Sequence, residues 1–255
     1  RLSLAFVGLV FWLASVATAA AQDTRAVLQS LSWVEGPQTV SVGSNGTFSI
    51  PAGYVFLSSA DTRRWLEEVS QNPSSGNEFL FAPSSLSWWA IFQYEATGHV
   101  KDDEKIDADA LMTSLRENQE QGNKERQTRG FPMLLNLAWK YPPFYDPATR
   151  RLEWAKSFVA SDTGQEAVNY ETRFLGREGV MSATMVASPE QLPVAVPEFK
   201  AAVSGYSFVA GQRYTEFKQG DNVAEYGLAA LVAGGAAAAL AKAGFLAKYW
   251  KILVG

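Results

Sequence analysis

Val168-Asn169-Tyr170-Glu171-Thr172-Arg173-Phe174-Leu175-Gly176-Arg177-Glu178-Gly179-Val180-Met181-Ser182-Ala183-Thr184-Met185-Val186-Ala187 is the stretch that decides the fold. In its first half Val168, Tyr170, Thr172 and Phe174 alternate with Asn169, Glu171 and Arg173. That period of two sends neighbouring side chains to opposite faces of a sheet. Gly176-Arg177-Glu178-Gly179 then turns the chain into a second β-rich run, so the two runs read as a hairpin. A connection this short makes the pairing antiparallel.

The same period recurs upstream. Leu152, Trp154 and Phe158 stand against Arg151, Glu153 and Ser157. Met133, Leu135, Leu137 and Trp139 make one face of residues 133–140, and Trp88, Ala90, Phe92 and Tyr94 one face of residues 88–95. Between these strands Tyr141-Pro142-Pro143-Phe144-Tyr145-Asp146-Pro147 reads as a stiff loop. Near the start, residues 33–46 are broken by Gly36-Pro37, Gly43 and Asn45-Gly46 and read as an entry region of turns. Order then begins near Thr47, with Phe48 and Ile50 alternating and residues 54–57 continuing as strand.

Helical spacing appears over residues 23–32 and again after Ser58, where Ser58 and Asp61 have capping-box spacing and Trp65, Leu66 and Val69 share a face. Asp107 or Asp109 caps a helix carrying Leu111, Met112 and Leu115; its second half is polar and needs no packing. Pro193 and Pro197 predict a short turn before a helix through Phe199 and Val203, stopped at Gly205, and residues 206–209 add a last strand. The sum is an α+β domain, an antiparallel sheet of about five to seven strands flanked by helices.

Two apolar segments bracket this body. Residues 2–21 follow Arg1 and finish in Ala17-Thr18-Ala19-Ala20-Ala21, the small-residue exit of an export signal, so residues 1–21 are expected to be a signal peptide. Residues 227–241 lack such an exit, which predicts a C-terminal transmembrane helix within an anchor of residues 226–255. Residues 22–225 then form one periplasmic domain. Lys242, Lys248 and Lys251 follow the apolar run while Asp221 and Glu225 precede it, placing the body outside the inner membrane. Gly227, Gly234 and Gly235 belong to the small-residue part of the anchor; Lys242 must snorkel or find a partner, and Trp250 suits an interface.

Arg1, Lys242, Lys248 and Lys251 lie outside the body, which leaves it 18 basic against 26 acidic side chains, a net −8. That surface repels phosphate backbones, so nucleic acid is an unsuitable partner. The absence of cysteine excludes disulfides, thiolate metal sites and a thiol nucleophile together. One histidine, His99, excludes any two-histidine metal site, and no nucleophile elbow, zincin or phosphate-loop motif accompanies it. No cofactor is expected, and His99 reads as an exposed loop residue.

Ile50-Pro51-Ala52-Gly53-Tyr54-Val55-Phe56-Leu57, Gly98-His99-Val100-Lys101-Asp102-Asp103, Asp107-Ala108-Asp109-Ala110-Leu111, Asn169-Tyr170-Glu171-Thr172-Arg173-Phe174-Leu175-Gly176-Arg177 and Ala224-Glu225-Tyr226-Gly227-Leu228 together resemble the bacterial membrane-anchored family known as domain of unknown function 2167. The resemblance implies an envelope protein and no established activity. His99 departs from the aromatic the family's Gly-x-Val-Lys-Asp segment implies at that position. The order of strands and helices also resembles a PsbP-like sandwich, a likeness of fold that supplies no function.

Three groups of residues are candidate sites. Asp102 and Asp103, in the run from Lys101 to Asp109, could offer oxygens to a hard cation or simply complement a helix start. Tyr141, Phe144 and Tyr145 form either an exposed recognition patch or a connection whose rings fold back on the core. Asn169, Glu171 and Arg173 share a strand face that either lines a polar cleft or meets water. The leading reading is a non-catalytic, membrane-anchored binding or interaction module with an envelope protein, lipid or small ligand as partner, self-association through the anchor being open. The alternative is a periplasmic hydrolase using carboxylates, with or without a metal, which requires Asp102, Asp103, Glu171 and Arg173 to converge in one pocket.

Overall fold

The computed structural model describes residues 25–69, 74–128, 132–162 and 164–233. Helix α1 (25–30) leads into the strands β1 (Val34–Glu35), β2 (Gln38–Val42), β3 (Gly46–Ile50) and β4 (Tyr54–Leu57). Helix α2 (Ser59–Arg64) runs into a π-helical turn, Trp65–Val69, followed by β5 (Glu78–Pro83) and β6 (Trp89–Glu95). The long helix α3 (Ala108–Thr128) precedes four strands: β7 (Leu134–Asp146), β8 (Arg151–Ala160), β9 (Glu166–Leu175) and β10 (Val180–Ala187). Helix α4 (Leu192–Val203), β11 (Tyr206–Phe208), a 3-10 turn (Tyr214–Glu216) and α5 (Leu228–Ala233) complete the described chain.

The large sheet is antiparallel throughout, in the order β1-β4-β5-β6-β10-β9-β8-β7, and a small sheet has the order β11-β3-β2. The mixed α+β class is as expected, but eight strands exceed the five to seven predicted. The missed β5 is the continuous apolar run Phe79-Leu80-Phe81-Ala82, buried on both sides, so it carries no alternation to detect. The entry region of turns is also corrected: β1 and β2 lie there, each short and flanked by the turn residues that disguised it.

One face of the large sheet carries Phe56, Phe81, Ala90, Phe92, Met181, Met185, Tyr170 and Phe174. It packs against Phe48 and Ile50 of β3, Tyr206 of β11 and Phe199 of α4, making the main core. Phe48 sits edge-on to Phe81 at 4.8 Å, the quadrupole-favoured arrangement. Prolines do not delay α4: it starts at Leu192, with Pro193 in the first turn where no amide bond is owed, and Pro197 is carried inside.

The other face is covered in two separate places. At the β4–β5 side, Val55, Leu57, Leu80 and Ala82 lie under α1 and α2, with Leu31, Trp65 and Leu66. At the β8 side, Leu152, Trp154, Leu175 and Val180 lie under Val100, Leu111 and the α5 residues Leu228, Leu231 and Val232. The apolar segment beginning at 227 thus starts inside the core. Among the described residues no helix is long and apolar enough to cross a membrane.

The expected Tyr141–Pro147 loop is corrected as well, since β7 runs through Pro142 and Pro143. It is the edge of the sheet, where a proline deprives no neighbouring strand of a ladder bond. Its register breaks three times, and α3 supplies what the ladder lacks. Asn123 donates to the Leu134 carbonyl (2.7 Å) and accepts from its amide (2.8 Å), Arg116 Nε donates to Leu137 O (3.1 Å), and Trp139 Nε1 donates to Ala108 O (3.0 Å). The polar half of α3, expected to stand free, is therefore a latch on the edge strand. Asp107 is its cap, accepting from the amides of Asp109 and Ala110.

Candidate functional site

Between the two covered halves of that second face lies an open cleft of about 490 Å³. Its floor follows from strand register. Gln93 of β6 faces Ser182 of β10, which faces Arg173 of β9; the next row runs Ile91, Thr184, Glu171. Leu66 of the π-helical turn and Arg126 of α3 line its walls, and Trp89, Phe158 and Leu134 add apolar surface. Both arms of the quoted hairpin thus contribute polar side chains to one concave surface.

Asn169 and Arg173 line the cleft, and Glu171 lies in the same face with 7% of its surface exposed. Of the two readings of this strand face, the water-facing one fails for Glu171. Its Oε1 binds Lys156 Nζ at 2.9 Å and its Oε2 binds Arg173 Nη2 at 2.9 Å. Burial works against the Glu171 charge, but the Lys156 and Arg173 cations more than offset it and hold its pKa below the ordinary carboxylate value. The Arg173 guanidinium also lies 5.0 Å from the Trp154 ring centroid, a cation–π contact.

On the β5–β6 side the charge is reversed. Glu78 accepts from the Ser74 and Ser75 hydroxyls and from the amides of residues 75, 76 and 77, and these bonds outweigh its burial and lower its pKa. Glu95 Oε1 accepts from Ser182 Oγ at 3.0 Å. The cleft lining therefore carries Glu78 and Glu95 along β5 and β6, and Arg173 and Arg126 on β9 and α3.

Asp102 sits elsewhere, as the hub of another cluster. It accepts from Tyr145 Oη (2.6 Å) and Tyr214 Oη (3.0 Å) and pairs with Arg150. Burial opposes its charge, but these partners keep its pKa below the usual range, while burial and the Asp102 bond push Tyr145 up to about 12. Asp103 is exposed. The convergence of Asp102 and Asp103 with Glu171 and Arg173 that a hydrolase would need is not what the fold makes: Asp102 and Glu171 each have their own basic partners. Among the described residues no group of three or more His, Asp or Glu side chains is placed to hold a metal.

Tyr141 and Phe144 remain exposed, Phe144 at 66%, beside a smaller groove against α4, whereas Tyr145 turns inward to Asp102. His99 is corrected from an exposed loop residue to a buried one, 8% exposed. It is stacked between Tyr214 (4.3 Å) and Phe217 (4.2 Å). Its backbone is fixed by Asn222 and Ala224, both distant in sequence. Gly227 packs against the Glu104 carboxylate, which also accepts from the Ala229 amide at 3.0 Å. Gly234, Gly235, Lys242 and Trp250 lie outside the described residues.

Ser182 and Thr184 in the cleft, and Lys156 as the partner of Glu171 on the same face, are among the residues not singled out from the sequence. Each leaves a trace: Lys156 shares the period-two face of Leu152, Trp154 and Phe158, and Ser182 and Thr184 interrupt an otherwise apolar strand. A lone cation on an apolar strand face needs a buried partner, and Glu171 on the neighbouring strand provides it.

A family model described as "Protein of unknown function (DUF2167)" matches residues 34–254. No curated protein matches. Among solved structures, the chain is similar to cyanobacterial PsbP (CyanoP) from Synechocystis sp. PCC 6803 at 8% identity, over 67% of this chain and 91% of that one, with a TM-score of 0.38. It is also similar to PA94 from Pseudomonas aeruginosa, a protein of unknown function, at 15% identity, over 45% of this chain and 68% of that one, with a TM-score of 0.27. At those scores neither likeness carries an argument about this protein.

Proposed function

The chain belongs to the DUF2167 family, whose description assigns no activity, and from its own geometry we propose a non-catalytic, membrane-tethered envelope module that holds a small amphipathic molecule in the cleft. The observation that carries this reading is the cleft itself, about 490 Å³, in which Leu66, Trp89, Leu134 and Phe158 supply apolar surface and Glu78, Glu95, Arg126 and Arg173 supply opposed charges. Pockets of that size, largely apolar with a few converging polar groups, are where proteins take small ligands. Glu171 argues against proton transfer, because both its oxygens are engaged by cations and its pKa is lowered.

The tether and the periplasmic address rest on the sequence: the signal-like exit at Ala17 to Ala21 and the apolar run from Gly227 with lysines beyond it. With Leu228, Leu231 and Val232 committed to the core, a spanning segment has to continue past Lys242 towards Trp250. A reporter active only in the cytoplasm, fused after Gly255, is expected to give signal; activity of a periplasm-only reporter there overturns the topology.

Native mass spectrometry of the full chain extracted from bacterial membranes tests the cleft. Wild type is expected to carry a non-covalent small-molecule adduct that Thr184→Trp, which fills the cleft from its floor, lacks. A folded Thr184→Trp protein with the same adduct, or wild type with none, counts against the reading.

A further inference from the structure

We propose a second site, independent of the cleft, that binds a phosphoryl group. A cavity of about 250 Å³ opens where the β7–β8 turn, the end of β9, β11 and the 3-10 turn meet. Three guanidinium side chains line it, Arg150, Arg151 and Arg213, and no Asp or Glu does. In a body with a net charge of −8, three converging cations without a lining acid are an exception to the surface.

The arginines are held there by the fold. Arg150 has a left-handed backbone (φ 55°) in the turn, and its carbonyl accepts from the Leu175 amide at 3.0 Å. Its guanidinium pairs with Asp102, donates to Tyr145 and lies 5.0 Å from the Tyr214 ring centroid, contacts that fix it at the cavity and leave part of its N–H fork unused. Arg151 forms no salt bridge among the described residues, and its guanidinium lies 4.9 Å from the centroid of Phe174. Arg213 is fixed by Glu216: its amide donates to Glu216 Oε2 at 2.9 Å, and its Nη1 lies 3.5 Å from Glu216 Oε1. Asp102 and Glu216 therefore orient arginines from outside the lining, and Asp146, paired with Arg151 in the β7–β8 ladder, is occupied by Thr149 and the Ala148 amide.

Planar guanidinium forks match the oxygens of a tetrahedral phosphoryl group, which can accept from several donors at once. Ser207 and Thr215 add hydroxyl donors to the same cavity. The chemistry is shared by a phospholipid headgroup and a soluble phosphate ester. Tyr214 lines the cavity and packs against the apolar cluster that also holds Leu228, the first residue of α5.

The test is calorimetric titration of the full chain in a non-ionic detergent. The probes are inorganic phosphate and, below its micelle threshold, dihexanoyl phosphatidylglycerol, with octyl glucoside as the neutral comparator. Binding of at least one phosphoryl probe is expected, weakening with added salt and falling about tenfold or more in Arg151→Gln, which strands no carboxylate. Phosphate alone binding marks a soluble ester as the source, the lipid alone a headgroup, and both the shared group. Arg213→Gln, on a largely exposed side chain, should weaken binding likewise and serves if Arg151→Gln misfolds. Failure of both phosphoryl probes to bind, or unchanged affinity in a folded variant, overturns the proposal.

Discussion

Replacing Leu231 by Ala should make the folded body easier to unfold, although Leu231 lies in sequence within the apolar run read as a membrane anchor. The side chain is 2% exposed and packs in the cluster of Val100, Leu111, Leu152, Trp154 and Leu228. Truncation to Ala removes about three methylene equivalents from an apolar site, roughly 0.8 kcal/mol each in transfer, and the cavity left behind adds to this. The expected loss is about 2–5 kcal/mol. For a domain of this size that lowers the melting temperature by roughly 4–20 °C, at about 2–4 °C per kcal/mol. Urea and thermal unfolding of the full chain in mild detergent, followed by tryptophan fluorescence, reads the change, because Trp154 belongs to the same cluster. Val194→Ala, at a site 63% exposed, is the control and should move stability by less than about 0.5 kcal/mol. A folded Leu231→Ala protein whose midpoint coincides with the control would refute the reasoning and make α5 a tether that contributes nothing to the body.

Two further outcomes are expected. Asp221 is held down to about 2 by hydrogen bonds from Arg177 (2.6 and 2.7 Å) and the Lys218 amide. Its contribution to stability is thus present above the unfolded value near 3.8 and is lost as pH falls towards 2. Urea midpoints of Asp221→Asn should fall less steeply than wild type between those pH values, and parallel curves would contradict the linkage. His99→Ala should cost about 1–3 kcal/mol, because a buried ring stacked on both sides is lost. Burial lowers the His99 pKa despite Asp102 and Asp221, so wild-type stability should decline as pH drops below about 6.5. Denaturant midpoints at pH 7 and pH 5 should converge in the variant; a difference as large as that of wild type would sink this.

The sequence by itself determined the antiparallel hairpin and the faces of β6 and β9, because each depends on neighbours a few residues away, and it narrowed the α3 cap to Asp107 or Asp109. Period-two alternation already sent Val168, Tyr170, Thr172 and Phe174 inward, and the structure buries all four. It also put Asn169, Glu171 and Arg173 on one face, yet it left open whether that face meets water. Only tertiary structure decided this, since the burial of Glu171 depends on Lys156 from the adjacent strand and on covers from two separate parts of the chain. The continuation of β7 through two prolines was likewise undecidable locally: its irregular backbone is satisfied by Asn123 and Arg116 of a helix that precedes it. His99 and the arginine cavity follow the same logic, because Tyr214 and Phe217, and Arg213 beside Arg150 and Arg151, meet only when the chain returns after β11. Local periodicity encodes which way a side chain points; what it meets there is a property of the folded chain.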